Sequence, residues 1–196
     1  MTAHGENTPL TDEQIRDSTV GEVPAEYRPI VLSDYDPSWP RLYAREETRI
    51  RAALGERALA IEHTGSTSVP GLAAKPIIDV VLVVADSADE RAYVPDLESD
   101  GYVLRIREPD WYEHRILKGP DTNVNVHVFS SGCDEVDRML LLRDWLRREC
   151  SDRELYEQRK RELARRDWKY VQNYADAKSA IVEEILARAS AAGGSD

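Results

Sequence analysis

The run Pro76-Ile-Ile-Asp-Val-Val-Leu-Val-Val84 limits what this chain can become more than any other stretch. Its apolar residues are nearly continuous and mostly β-branched, so a strand built from it has no polar face to offer to water. It must be a central strand, with covering structure on both faces. Asp79 interrupts it, and a carboxylate buried without a partner is costly. Asp79 is therefore expected at the accessible end of the strand, neutralised by a cation or strongly hydrogen-bonded, with Lys75 as the simplest counter-charge.

The neighbouring sequence supplies partners for such a strand. Residues 30–32 and 58–63 read as strands, and between them Ser38 is placed to cap a helix that tolerates Pro40 in its first turn and buries Leu42, Ala53 and Leu54. Ser87 with Glu90 fits a capping box for a helix ending near Gly101, and residues 102–106 a further strand. Residues 111–117 and 123–129 flank Gly119-Pro120-Asp121 and predict an antiparallel hairpin. From Cys133 onward the pattern becomes three helices. Met139, Leu142 and Leu146 share one face, Ser151 with Glu154 makes a second capping box, and Ile181, Val182, Ile185, Leu186 and Ala189 form the last apolar stripe. The expected fold is α/β (α+β): a mixed sheet flanked by helices, with a C-terminal helical group. One domain is expected over residues 26–190, between flexible tails at 1–25 and 191–196.

Composition removes several function classes. No apolar run approaches the ~20 residues of a membrane span, and the first residues lack a secretory signal, so a cytoplasmic protein is expected. The net charge of −11 opposes nonspecific nucleic-acid binding. Residues 143–169 depart from it with 10 Lys/Arg against 7 Asp/Glu, either an anion-facing helix surface or a solvated face of mixed ion pairs. The two cysteines, Cys133 and Cys150, are read as thiols. Oligomeric state is left open.

The stretch Gly65-Ser-Thr-Ser-Val-Pro-Gly71 combines two glycines with the hydroxyls of Ser66, Thr67 and Ser68, chemistry suited to phosphate but also to an ordinary turn. A P-loop and a G-x-G-x-x-G dinucleotide motif are both excluded, as is an H-E-x-x-H zinc site. Along residues 123–129, Asn123, Asn125 and His127 face one way and Val124, Val126 and Val128 the other. His127 is thus a candidate for contact with a metal, a phosphate or a proton in transit. Glu62 and His63 precede the loop as further candidates.

The run IEHTGSTSVPGLAAKPIIDVVLVV from Ile61, then VNVHVF, LLRDWLRREC and YVQNYADAKSAIVEEIL, resembles the GrpB family, which is placed in the nucleotidyltransferase superfamily; the resemblance covers residues 28–188. It implies a mixed sheet with Gly65 and Ser66 at a nucleotide's phosphates, Asp79 as a ligand of Mg²⁺ or Mn²⁺, and a nucleoside triphosphate as substrate or ligand. His127 and Glu62 are additional metal candidates, and Lys75, Arg115 and Arg143 candidates for the phosphate oxygens. Enzymes of that superfamily usually carry a second carboxylate two positions after the first, where this chain has Val81. Nucleotidyl transfer to a small-molecule hydroxyl or amine is the leading expectation. A non-catalytic nucleotide- or anion-binding module and a metal-assisted phosphohydrolase are the alternatives.

Overall fold

The apolar run does become an interior strand. In the computed structural model, which describes residues 10–23 and 25–193, the chain passes through helices α1 (Asp12–Ser18) and α2 (Trp39–Leu54) and strands β1 (Ala60–Thr64) and β2 (Ile78–Val84). Helix α3 (Val94–Ser99) leads to strands β3 (Val103–Glu108), β4 (His114–Lys118) and β5 (Val124–Ser130). Helices α4 (Asp134–Arg148), α5 (Cys150–Ala164), α6 (Val171–Asp176) and α7 (Ser179–Gly193) follow. Among the described residues the strands form a five-stranded sheet in the order β1-β2-β5-β4-β3. β2 and β5 are parallel and the other pairs antiparallel, so the sheet is mixed and helix-flanked, as expected.

Both faces of β2 are covered, for the reason its composition demanded. Ile78, Val80, Leu82 and Val84 join Val124, Val126 and Val128 of β5 in the main core, against Ile50 and Leu54 of α2 and Val94 and Leu97 of α3. Burying each such side chain contributes about 1.5–3 kcal/mol. On the opposite face Val81 packs with Phe129 and Val136, and a third cluster joins Val69 and Leu72 of the loop after β1 to Leu146, Tyr156, Ile181 and Ile185 of the C-terminal helices. The helical group is thereby anchored directly on the glycine-serine loop.

Several local expectations are corrected by tertiary contacts. Residues 30–32 form no strand; the only ladder contact nearby is the Ser33–Ala74 bridge, and Val31 is exposed. The Ser38 side chain makes no cap bond; its N–H instead donates to Asp36 Oδ1 at 2.7 Å. Ser87 does not cap a helix, because its N–H and hydroxyl bond Ser130 Oγ at 2.9 and 3.0 Å while Glu90 is taken by Arg107 and Arg115. The Ser151 box is also absent: α5 starts at Cys150, two residues before a Ser151 cap would start it, and Ser151 Oγ donates to Glu149 at 2.8 Å. Among the described residues four C-terminal helices follow rather than three.

The tails are shorter than expected. Thr11 and Gln14 form a capping box for α1, Ile15 is buried, and Thr19 bridges to Ile106 of β3. Residues 191–193 continue α7. The remainder of both expected tails, 1–9 and 194–196, lies outside the described residues. Cys133 and Cys150 are free thiols. No described helix is long and apolar enough to cross a membrane.

Candidate functional site

Gly65 turns the chain out of β1 with φ +65°. An added Cβ there would lie 2.4 Å from Asp79 Oδ2, so the position is restricted both by its left-handed backbone and by the carboxylate resting against it. Gly65→Ala is expected to cost about 1–3 kcal/mol from strain alone, and more from the clash. In chemical denaturation its cost should be non-additive with that of Asp79→Ala, which removes the clashing carboxylate; strict additivity would show that the two do not press on each other.

The loop's hydroxyls have different duties. Thr67 Oγ1 donates to Ile77 O at 3.3 Å and contacts His63 Nε2 at 3.1 Å, while Ser68 Oγ donates to Gly65 O at 2.6 Å. Both residues are buried and hold the loop's shape. Ser66 is the loop hydroxyl that is only half-buried, and its Oγ accepts from Lys160 Nζ at 3.0 Å. His63 stacks on Tyr43 at 4.7 Å, and burial lowers its pKa to about 4.

Asp79 lies in register between Thr64 of β1 and Asn125 of β5. Its Oδ1 accepts from Asn125 Nδ2 at 2.8 Å and is 3.6 Å from His127 Nε2. Burial alone would raise its pKa, but His127, Asn125 and Lys75 together hold the carboxyl below the usual range. Ser66, Asp79 and His127 thus belong to one neighbourhood, reached from the loop and two adjacent strands.

Lysines surround this carboxylate. Lys75 and Lys178 both approach the ring of Tyr174, at 5.6 and 4.9 Å from its centroid, and Lys118 Nζ donates to Asn125 Oδ1. Lys160, 2% exposed, donates to Ser66 Oγ and Ala73 O and lies 4.9 Å from the Tyr156 ring. These direct partners are hydroxyl, amide, carbonyl and aromatic groups; the opposing carboxylates act from further off, Asp79 on Lys75, Lys118 and Lys178, and Glu157 on Lys160. Burial pushes Lys160 down to about 7, and burial with the repulsion of Lys178 pushes Lys75 down to about 8. Lys118 and Lys178 are lowered by burial too, with Asp79 pulling both back.

Of the two arginines expected at phosphate, Arg115 is placed elsewhere, whereas Arg143 stays on the Asp79 face of the sheet through Glu62, which pairs in register with Val81. Arg115 pairs in register with Val128, on the face opposite His127, where it is buried and bonds Glu90 at 2.7 Å. Arg143 donates to Glu62 Oε2 at 2.7 Å and to His63 O at 3.2 Å, and it also pairs with Asp144. Glu62 is therefore already matched to a guanidinium.

The family model described as GrpB protein matches residues 29–188. The chain belongs to the GrpB family. A UPF0157 protein of Halalkalibacterium halodurans is 62% identical over 185 residues, spanning 94% of this chain and 95% of the other. The crystal structure of the conserved protein GrpB from Enterococcus faecalis aligns with TM-score 0.70 at 28% identity, covering 81% of this chain and 96% of that one. A looser alignment, TM-score 0.48 at 11% identity, is to the Cid1 poly (U) polymerase, over 67% of this chain and 44% of the polymerase.

In this GrpB-family chain the donor set for a metal is sparse. Val81 is 0% exposed within the apolar cluster, and no group of three or more His, Cys, Asp or Glu side chains among the described residues is placed to hold a metal ion. Mg²⁺ is commonly bound by one or two carboxylates together with substrate phosphates. Asp79 fits that use, with phosphate completing the shell, better than it fits a resident ion. Sequence reasoning missed Lys118, Lys160, Lys178 and Tyr174. Lys160 did leave a signal: it stands four residues after Tyr156 and three before Leu163, a cation on a buried helical stripe.

Proposed function

We propose that the surface around Asp79 and the Gly65-Ser66 turn binds the phosphates of a nucleoside triphosphate and transfers its nucleotidyl group to a small-molecule hydroxyl or amine. The observation that carries this reading is the placement of Lys75, Lys118 and Lys178 within the field of Asp79, with Lys160 bonded to Ser66 in the adjoining Gly65-Ser66 turn. Four partly desolvated cations that share few carboxylates favour a multiply charged anion, and a chain of net charge −11 has no general attraction for one. In the reaction the acceptor's oxygen or nitrogen attacks the α-phosphorus, the bond to the pyrophosphate oxygen breaks, and His127 takes the acceptor's proton. The lysines offset charge on the departing pyrophosphate. Asp79 with phosphate oxygens would hold Mg²⁺ or Mn²⁺, which supplies Lewis-acid charge stabilisation when bound. Val81 favours a second reading, a nucleotide-binding module without turnover.

The test is incubation with ATP, GTP or CTP, Mg²⁺ or Mn²⁺ and pooled acceptors, with products read by mass spectrometry. A nucleotidylated acceptor supports transfer, phosphate release without adduct supports hydrolysis, and binding without either product supports the module. The anion site makes an independent prediction. At pH 8 Lys160 and Lys75, with pKa values of about 7 and 8, are largely and partly uncharged. A bound polyphosphate stabilises their charged forms and raises both values, so binding takes up roughly one proton and weakens as pH rises above 7. Calorimetry of tripolyphosphate in EDTA, in buffers of different ionisation enthalpy, reads this directly; Lys160→Met should remove most of the uptake.

A further inference from the structure

Glu108, His114 and His127 occupy one face of three adjacent strands and are joined by hydrogen bonds. His114 Nδ1 is 2.6 Å from Glu108 Oε2, and His114 Nε2 is 3.0 Å from His127 Nδ1. The donors follow from the chemistry of the groups. A carboxylate only accepts, so the hydrogen on His114 sits on Nδ1. The His114 ring is 2% exposed, stacked on Phe129 at 4.6 Å and met edge-on by Trp111 at 5.0 Å, which prevents it from turning over. Burial keeps this ring neutral, with its pKa lowered to about 4. Its Nε2 is therefore bare and accepts, and His127 Nδ1 is the donor across the 3.0 Å contact. The rings of His114 and His127 are inclined by only 12°. A charged His127 turns an Nε2–H toward Asp79, the form that lowers that carboxyl's pKa; a neutral His127 holding its hydrogen on Nδ1 has its lone pair on Nε2, the atom 3.6 Å from Asp79 Oδ1.

We propose that Glu108 and His114 are positioning residues that fix His127 as its Nδ1–H tautomer, presenting the Nε2 lone pair to the space beside Asp79 as the acceptor of the nucleophile's proton. The tautomer stands on the hydrogen-bond chain from Glu108 together with the neutral state of the buried His114 ring; the proton-accepting role rests on the transfer reading. Two acceptors, Nε2 and Oδ1, then face the same space, which suits an incoming hydroxyl or amine and opposes a direct contact of His127 with a phosphate oxygen. The arrangement has the form of an oriented histidine, in which a second group sets which nitrogen is free.

Long-range ¹H–¹⁵N correlation spectra of protein labelled at histidine read the tautomer at neutral pH without requiring turnover. Wild type is expected to show a pyrrole-like Nδ1 and a pyridine-like Nε2 for His127. His114→Phe keeps a ring on Phe129 but offers no acceptor, so His127 is expected to move its hydrogen to Nε2, where Asp79 accepts it. Glu108→Ala, at the end of an edge strand, frees His114 to reverse its own tautomer and is expected to move His127 the same way; it carries the test if His114→Phe does not fold. A wild-type His127 protonated on Nε2, alone or together with Nδ1, would overturn the proposal, as would an unchanged His127 in the variants. If the spectra agree and no acceptor is ever modified, the tautomer stands and the transfer reading falls.

Discussion

Transfer is expected to collapse in both Asp79→Asn and His127→Ala, while the two variants part company in binding. His127 contributes as a proton acceptor, so its loss should lower the rate about 10²–10⁴-fold with little change in nucleotide affinity. Asp79 is a carboxylate among lysines. Without metal it repels phosphate, and removing one like charge at an effective dielectric of about 20 is worth on the order of 2 kcal/mol, about thirtyfold in affinity. Asp79→Asn is therefore expected to bind tripolyphosphate more tightly than wild type in EDTA, and to lose the additional affinity that Mg²⁺ confers on wild type, because an amide is a poorer ligand for a hard cation. Titration calorimetry with and without Mg²⁺ measures both signs. Weaker binding of Asp79→Asn in EDTA would mean that the carboxylate shapes the site rather than setting its charge. Unchanged Mg²⁺ dependence would remove Asp79 from the metal assignment.

The largest stability effect is expected at Glu46. This side chain is 0% exposed on α2, where its carboxylate accepts from Tyr102 Oη and Thr122 Oγ1, each at 2.6 Å, and pairs with Arg49 at 3.3 Å. Glu46→Ala leaves both hydroxyls without their acceptor and opens a cavity between the helix and the β4–β5 turn. Breaking a buried charged network in this way costs about 3–5 kcal/mol, which for a domain of this size lowers Tm by about 10–15 °C. Tyr102→Phe, which removes one donor while Thr122, Arg49 and Arg45 remain around the carboxylate, should cost less, about 1–3 kcal/mol. Thermal denaturation of the two variants in parallel checks the order. A Glu46→Ala protein as stable as wild type would show that the network is replaced by water at no cost. Because Thr122 precedes β5, loosening this network should also disturb the alignment of Lys118 and Asn125, which face each other in the β4–β5 register.

The parts legible in the sequence are those where the physics is local. A run of β-branched residues cannot face water on either side, which placed residues 76–84 inside a covered sheet. The alternation of Asn125 and His127 with Val126 and Val128 gives the polar side of β5 from the pleat alone. Gly65 and Asp79 were visible as anomalies, a flexible turn and a charge where neither belongs by composition. The capping boxes at Ser87 and Ser151 were equally local patterns, yet they lost to better partners, Ser130 in one case and Glu149 in the other.

What only the tertiary structure decided is which distant residues meet. Strand parity turned Arg115 away from His127, and pairing in the sheet brought Glu108 and His114 to it, because a one-residue step along a strand reverses the side-chain direction. Lys75, Lys118, Lys160 and Lys178 lie on four different segments, a loop, a strand, a helix and a helix junction, with no common period to link them. Their gathering around Asp79 and the neighbouring Gly65-Ser66 turn follows from α5 and the region between α6 and α7 packing over the loop after β1. That packing is a sum of long-range contacts no window of sequence contains.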